Sequence, residues 1–314
     1  MRAFVTDVQG TVWELPPARK WEMEYGIGTP CDSFFLTIPW KNAMETKGKD
    51  WVRFHAEHEG ERVFTGVVDE CEVSLSDRGC VLELSGRGMA ALLLDNEALG
   101  QDYQLATLED ILRDHVTPYG IVTEEKPALS SVARFRVDVG SSEWTVLEDF
   151  LRAAGGTTPG FDVRGRLVLE NREETERLLV DETTPVRKLC RRDKRYGVLS
   201  EVLVRDRYSG AVRQVKNEAF AAAGGRARRV LTMPGRAGAG EMQTSGEQQL
   251  KRSRAELEEL EVTLPAPFWA MPDQLIRLEG RGDFDGDYRA VRSTVGADES
   301  GHWTRLILHP QESM

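Results

Sequence analysis

The sequence lacks the features that mark membrane-spanning, secreted and disulfide-rich proteins. It has no apolar run of about 18 residues, and its first residues lack the apolar stretch of a secretory signal. Its four cysteines, Cys31, Cys71, Cys80 and Cys190, include no C-x-x-C pair. We therefore expect no membrane insertion, folding in a cytoplasm, and reduced cysteines buried as small apolar side chains.

Recognisable catalytic and cofactor motifs are also missing. The sequence contains no G-x-S-x-G, no H-E-x-x-H and no G-x-x-x-x-G-K-[ST]. His55 and His58 would point to opposite faces of a strand, and His115 falls on the apolar face of a predicted helix. We predict a chain that is not an enzyme, with no catalytic residue, no cofactor and no metal site.

Three carboxylates alternate at Asp283, Asp285 and Asp287, as at the start of a calcium-binding loop. The glutamate that would complete an EF-hand is replaced by Thr294. Asp285-Gly286 is also a strong hairpin-turn signal between two predicted strands. The turn is the favoured interpretation, and the sequence leaves metal binding open.

Positive charge is scarce relative to negative charge. The chain has 41 Lys and Arg against 52 Asp and Glu, a formal net charge of −11. Specific nucleic-acid binding needs a basic face and is not expected. If the chain forms a ring, an acidic or neutral lumen would let DNA pass without binding to it. The candidate lining residues are Glu57, Glu59 and Glu201. The alternative is that these acids are ordinary solvated residues on the outer face.

Hydrophobic periodicity divides the chain into three segments and predicts an α+β, mainly β fold. Residues 1–85 alternate with period two and predict a small antiparallel barrel or sandwich, with a long hairpin loop at 40–50. Residues 86–178 predict helices near 108–116 and 143–154 and a hairpin at Arg164-Gly165. Residues 179–314 predict a second β part with a surface helix near 246–261.

The positions most suited to contacts lie beside predicted loops. Trp40 and Trp51 flank the 40–50 loop, where exposed aromatics would anchor an interface together with Lys47. The alternative is that both tryptophans pack in the β core. Arg226 and Arg228 lie in the Gly-, Ala- and Arg-rich segment 216–247, which we expect to be a mobile loop or a loosely held strand.

Several short motifs occur in the order found in phage tail baseplate hubs. The stretch 84–97, reading LSGRGMAALLLDNE, resembles the strand-to-helix segment of that family, although Gly88 stands where the family has aspartate. Further matching segments are 108–121, 140–147, 165–169, Met271-Pro272, 286–289 and 304–310. The chain thus resembles the hub family of contractile tails, including the late control D group and tail-like injection machines, over nearly its whole length.

The resemblance implies two tube-like antiparallel β-barrels, residues 1–85 and 179–314, joined by the α+β segment 86–178. It allows a strand from one barrel to be part of the other. It implies a homotrimer that adapts a six-fold tail tube to a three-fold spike. The implied partners are the tail tube protein, the central spike protein, other baseplate proteins and the tape measure protein. Two other functions stay open: a tail-associated cell-wall or carbohydrate-binding or hydrolysing protein, and another tail tube or baseplate ring protein.

Overall fold

The computed structural model describes residues 1–27, 31–41, 50–77, 79–124, 126–155, 158–169, 177–255 and 257–311. The fold is mainly β, with 48% strand and 18% helix, as the sequence predicts. Among the described helices, none combines the length and the apolar character that crossing a bilayer requires.

The N-terminal part is an antiparallel sheet whose strands bury one face. Its strands are β1 (Arg2–Asp7), β2 (Val12–Glu14), β3 (Lys20–Gly26), β4 (Ser33–Trp40), β5 (Trp51–His58), β6 (Glu61–Ser76) and β7 (Gly79–Gly88). In β3, Trp21, Met23 and Tyr25 are buried at alternate positions. The order is β3-β4-β7-β6-β5-β1-β2, and the buried faces share one hydrophobic cluster around Phe34 and Phe54.

The middle part is α+β with its own hydrophobic core. Its elements are α1 (Ala91–Leu94), β8 (Gln101–Ala106), α2 (Leu108–His115), β9 (Val132–Val137), α3 (Glu143–Ala154), β10 (Gly160–Phe161) and β11 (Leu167–Val168). Thr107 caps α2 in a capping box with Asp110, and Ser142 caps α3. The two predicted helices and the predicted β10-β11 hairpin are therefore confirmed.

The C-terminal part contributes strands to two sheets. Its elements are β12 (Leu178–Val180), β13 (Lys188–Asp193), β14 (Glu201–Asp206), β15 (Val212–Lys216), α4 (Glu218–Ala222), β16 (Arg228–Met233), α5 (Ala239–Ala255), β17 (Glu258–Leu264), β18 (Leu275–Leu278), β19 (Gly286–Asp298) and β20 (Gly301–Pro310). Strands β15-β14-β16 form a separate sheet covered by α5. The other strands join the N-terminal sheet in the order β13-β17-β20-β19-β3.

Strand β19 connects the two halves of this large sheet. Its first residues pair with β18, and residues 292–297 pair with β3. A register irregularity between Ala290 and Arg292 separates the two regions. Ala290 packs in a C-terminal hydrophobic cluster, whereas Val295 packs in the N-terminal one. One strand therefore contributes to the cores of both halves.

Three predictions need correction or remain open. The helix predicted near 246–261 runs instead from Ala239 to Ala255, and β17 occupies Glu258–Leu264 because β13 and β20 pair with both of its edges. The segment 216–247, expected to be a loop or loose strand, contains α4, β16 and the start of α5. Strand pairing among the described residues closes no barrel, so the two-barrel architecture stays a proposal.

Candidate interaction surfaces

The two tryptophans that flank the 40–50 loop lie against the N-terminal core. Trp51 is only 7% exposed, and Trp40 is partly buried beside it in an edge-to-face contact with ring centroids 6.3 Å apart. The alternative interpretation, packing in the β core, therefore describes Trp51, which is not an exposed anchor. Residues 42–49, including the candidate Lys47, lie outside the described residues.

The two candidate arginines are exposed, but both have partners within the chain. The Arg226 guanidinium donates to the carbonyls of Ala221 at 3.1 Å and Gly225 at 2.8 Å, at the end of α4. Arg228 forms a salt bridge with Glu201 on the neighbouring strand β14. This salt bridge neutralises the charge of Glu201 in the small sheet. An interface role for Arg226 and Arg228 stays a prediction.

Arg87, in the motif stretch 84–97, joins β6, β7 and α1. Its guanidinium binds Asp69 at 2.7 and 2.9 Å and Asp95 at 2.9 and 2.6 Å. These charge-assisted pairs lower the pKa of Asp95. Gly88, where the family has aspartate, donates its backbone N–H to the Asp32 carbonyl at 2.6 Å. The Arg87 side chain therefore holds the end of the strand against the helix.

A buried polar network joins α2 to α3. The Nδ1 atom of His115 lies 2.6 Å from Glu143 Oε2, and its Nε2 lies 3.0 Å from the hydroxyl of Tyr103. Tyr119 donates to the other Glu143 oxygen at 2.9 Å, and Tyr103 donates to Asp114 at 2.8 Å. The His115 and Glu143 side chains are 5% and 8% exposed, so no substrate reaches them and the network connects the helices. The prediction of a core histidine is confirmed.

The carboxylates of Asp285 and Asp287 contact separate partners. Asp285 accepts from the Arg281 backbone N–H at 2.5 Å, and Asp287 lies 3.2 Å from Arg277. Within the part of the chain that the structure describes, no group of three or more His, Cys, Asp and Glu side chains is placed to hold a metal ion. The segment connects β18 to β19 through a single 3-10 turn, Gly282–Phe284, a longer connection than a two-residue turn.

One face of the N-terminal sheet is rich in carboxylates. Strand pairing places Glu22, Glu70, Glu72 and Glu83 on the face opposite the hydrophobic cluster. Glu72 and Glu83 are directly opposite each other on β6 and β7, an arrangement that costs stability because their charges repel. Of the acids predicted to line a lumen, Glu57 lies 3.8 Å from Arg2 and 3.7 Å from Arg62, and Glu59 lies in the β5-β6 turn. Their role in a lumen stays a prediction.

A large groove lies between β15 and α5, with a volume of about 1080 Å³. Its lining includes Arg213 and Lys216 from β15 and Lys251 and Arg254 from α5. A smaller groove of about 480 Å³ lies beside Tyr196 and Phe220 at the end of α4. The larger groove was not predicted from the sequence, because it depends on how α5 packs against β15.

Comparison with known proteins gives similarity in structure but not in sequence. No family profile and no curated protein sequence matches the chain. The tail protein of Neisseria meningitidis MC58 is 18% identical, with a TM-score of 0.75, 99% of this chain and 96% of that chain covered. The 43 kDa tail protein of prophage MuSo2 from Shewanella oneidensis is 17% identical, with a TM-score of 0.78 and complete coverage of both chains.

A more distant similarity extends to secretion machinery. The c3393 protein of Escherichia coli, a component of the type VI secretion system described as similar to the T4 tail proteins gp27 and gp5, is 16% identical with a TM-score of 0.57. The match covers 93% of this chain and 73% of that one. The chain therefore has the fold of these tail proteins from its first strand to its last.

Proposed function

We propose that the chain is a structural subunit of the baseplate hub in a phage or phage-like contractile tail. The observation that carries the proposal is the similarity in fold to two tail proteins over at least 96% of each chain, with TM-scores of 0.75 and 0.78. The order and spacing of the sequence motifs support it independently, because together they resemble the hub family, although each motif alone is weak. The role is structural and not enzymatic, with no cofactor.

The division of the large sheet suits a symmetry adapter. Each half has its own hydrophobic cluster, and strand β19 connects the two. Three copies of a chain with two similar halves would offer six tube-like units to a six-fold tail tube. The same three copies would keep three-fold symmetry toward a trimeric spike, through heterologous contacts that close into a ring.

The partners that follow are further copies of the chain, the tail tube protein, the central spike protein, other baseplate proteins and the tape measure protein. The location is the virion or tail-like particle, after assembly in a bacterial cytoplasm. Trp40, Lys47, Arg226 and Arg228 remain candidate contact positions. Specific nucleic-acid binding and membrane insertion are not part of the proposal.

The carboxylate-rich face is our candidate for the lumen of the ring. Glu70, Glu72 and Glu83 provide negative charge there despite the repulsion between Glu72 and Glu83. A negative lining would repel phosphate and let DNA pass without the salt-dependent binding that a basic lining gives. A map of the assembled ring tests this, and a channel lined chiefly by Lys and Arg would contradict it.

The mass of the particle in solution tests the hub proposal. Sedimentation analysis of the purified chain at increasing concentration, alone and with the spike protein of the same particle, should show three chains. A hexamer of the chain alone would instead favour the tail tube or ring alternative. A monomer that persists at high concentration with spike present would overturn the proposal.

A further inference from the structure

The groove between β15 and α5 is bounded by an edge strand. Among the strands that the structure describes, β15 pairs only with β14, and α5 packs across the face of both strands. The closest approach is at Gly246, where an added Cβ would lie 2.5 Å from Val215 and 3.2 Å from Val204. Beyond that point, Gln243, Glu247, Lys251 and Arg254 form the helical wall of the groove.

The backbone of β15 has hydrogen-bonding groups directed into the open side. The N–H of Asn217 bonds to Ser200, and that of Asp206 bonds to Ala211, which fixes the alternation of the antiparallel pair. In that alternation Arg213 and Val215 exchange hydrogen bonds with β14. The N–H and C=O groups of Val212, Gln214 and Lys216 therefore point away from β14, toward the free edge.

The side chains around this edge are mainly basic in a chain of net charge −11. Lys216, Lys251 and Arg254 are exposed and form no salt bridge with another described residue. The two acids of the groove, Glu218 and Glu247, balance only part of this charge, because its lining carries four basic side chains: Arg213, Lys216, Lys251 and Arg254. The groove thus combines open backbone groups with unbalanced positive charge.

We propose that this groove binds an acidic, extended segment of a partner polypeptide, which adds to β15 as a further strand of the small sheet. Main-chain hydrogen bonds to Val212, Gln214 and Lys216 would hold the segment, and carboxylates on it would meet Lys251 and Arg254. The length of β15, five residues, sets a contact of about 17 Å. This inference concerns a site separate from the large sheet and does not depend on trimer formation.

Two labelled peptides provide the probe, one alternating valine with glutamate and one with lysine in place of each glutamate. We expect the acidic peptide to bind the full chain saturably in fluorescence anisotropy, and the basic peptide not to bind. Amide hydrogen exchange at Gln214 and Lys216 should slow on binding, because those N–H groups gain acceptors.

Two variants test the two components of the site. Lys251→Glu should weaken acidic-peptide binding about tenfold, whereas Arg229→Glu, the same charge change on exposed β16, should change it less than about twofold. Gln214→Pro removes an outward N–H and leaves the backbone hydrogen bonds between β15 and β14 in place, although the side-chain bond to Glu201 is lost. It should abolish the exchange protection at Lys216. If the proline variant does not fold, Lys251→Glu still decides the question.

The results that would overturn the proposal can be distinguished from one another. Absence of saturable binding, or equal binding of the two peptides, would overturn the proposal. Concentration-dependent self-association that Lys251→Glu abolishes would also overturn it, since the occupant would then be a second copy of the chain.

Discussion

Arg87 and Asp95 form a bidentate ion pair across the junction where β7 passes into α1, with N–O distances of 2.9 and 2.6 Å. The same guanidinium binds Asp69 on β6. Arg87 thus connects the large sheet to the α+β part. A planar guanidinium can bind two carboxylates in this way, whereas a lysine ammonium cannot.

Replacing Arg87 with lysine should therefore lower the free energy of unfolding by about 1 kcal/mol, a modest value because the group is partly exposed. Urea denaturation of the purified variant measures it. The matched control is Arg113→Lys on the surface of α2, where the arginine pairs with Asp110 and Asp114 within one helix. A loss no greater than that of the control would contradict the joining role.

The buried pair of His115 and Glu143 predicts a larger effect. Glu143→Gln removes the charge that faces the nearly buried imidazole at 2.6 Å, and should cost about 3 kcal/mol of unfolding free energy. Glu148→Gln on the same helix is the control: burial and Asp149 raise the pKa of Glu148, so its charge disfavours the folded state at neutral pH. That control should be neutral or slightly stabilising in the same urea denaturation series. Equal losses would show that the network adds nothing.

The helices were predictable where local signals agree. Thr107 and Ser142 are N-caps before amphipathic stretches, and both helices begin where those caps indicate. Strands β8 and β9 escaped prediction because their burial does not alternate: Tyr103 and Ala106 are the buried residues of β8. Arg134 has a φ of 52°, and the pairing skips a residue there, so the strand pair is irregular.

The position of α5 depends on tertiary contact. Its sequence contains Gly240 and Gly246, which lower helix propensity and favour a loop. Gly246 nevertheless permits the close packing of α5 on Val204 and Val215. The β15 groove was inaccessible to sequence reasoning because it depends on how α5 packs against β15. The carboxylate-rich face was inaccessible because it depends on how β3, β4, β6 and β7 pair.

At Gly86, strand β7 lies unusually close to the backbone of its partner β6 and to the Phe34 ring, and this close approach can be tested. A Cβ there would lie 2.0 Å from the Val67 carbonyl oxygen and 2.6 Å from the Phe34 ring. Gly86→Ala should lower the free energy of unfolding by about 3 kcal/mol, since both strands must shift. Gly26→Ala in β3, where nothing lies within 4 Å, is the control and should change it by less than about 0.5 kcal/mol. Similar thermal unfolding of the two variants would argue against the close approach.

Hydrogen exchange tests the mobility predicted for residues 216–247. In the free chain this segment has exposed helices and an edge strand, so its amides should exchange faster than those of β19 and β20. Incorporation into a tail should slow exchange in the segment and leave the two strands unchanged. Equal protection in the free and assembled states would rule out ordering on assembly.

The buried position of His309 predicts that folding stability decreases as the pH falls. Burial lowers the pKa of its imidazole, and Nδ1 has no hydrogen-bond partner among the described residues. The unfolded chain therefore binds a proton more readily than the folded one, so stability is full above the ordinary histidine pKa of about 6.5 and falls as the pH drops through it. His309→Gln should lose less unfolding free energy than the parent between about pH 7.5 and about pH 5.5, measured by urea denaturation. The control is His302→Gln, at an exposed position of β20, which should lose as much unfolding free energy over this pH range as the parent does. If His309→Gln also loses as much as the parent, the acid sensitivity comes from other groups.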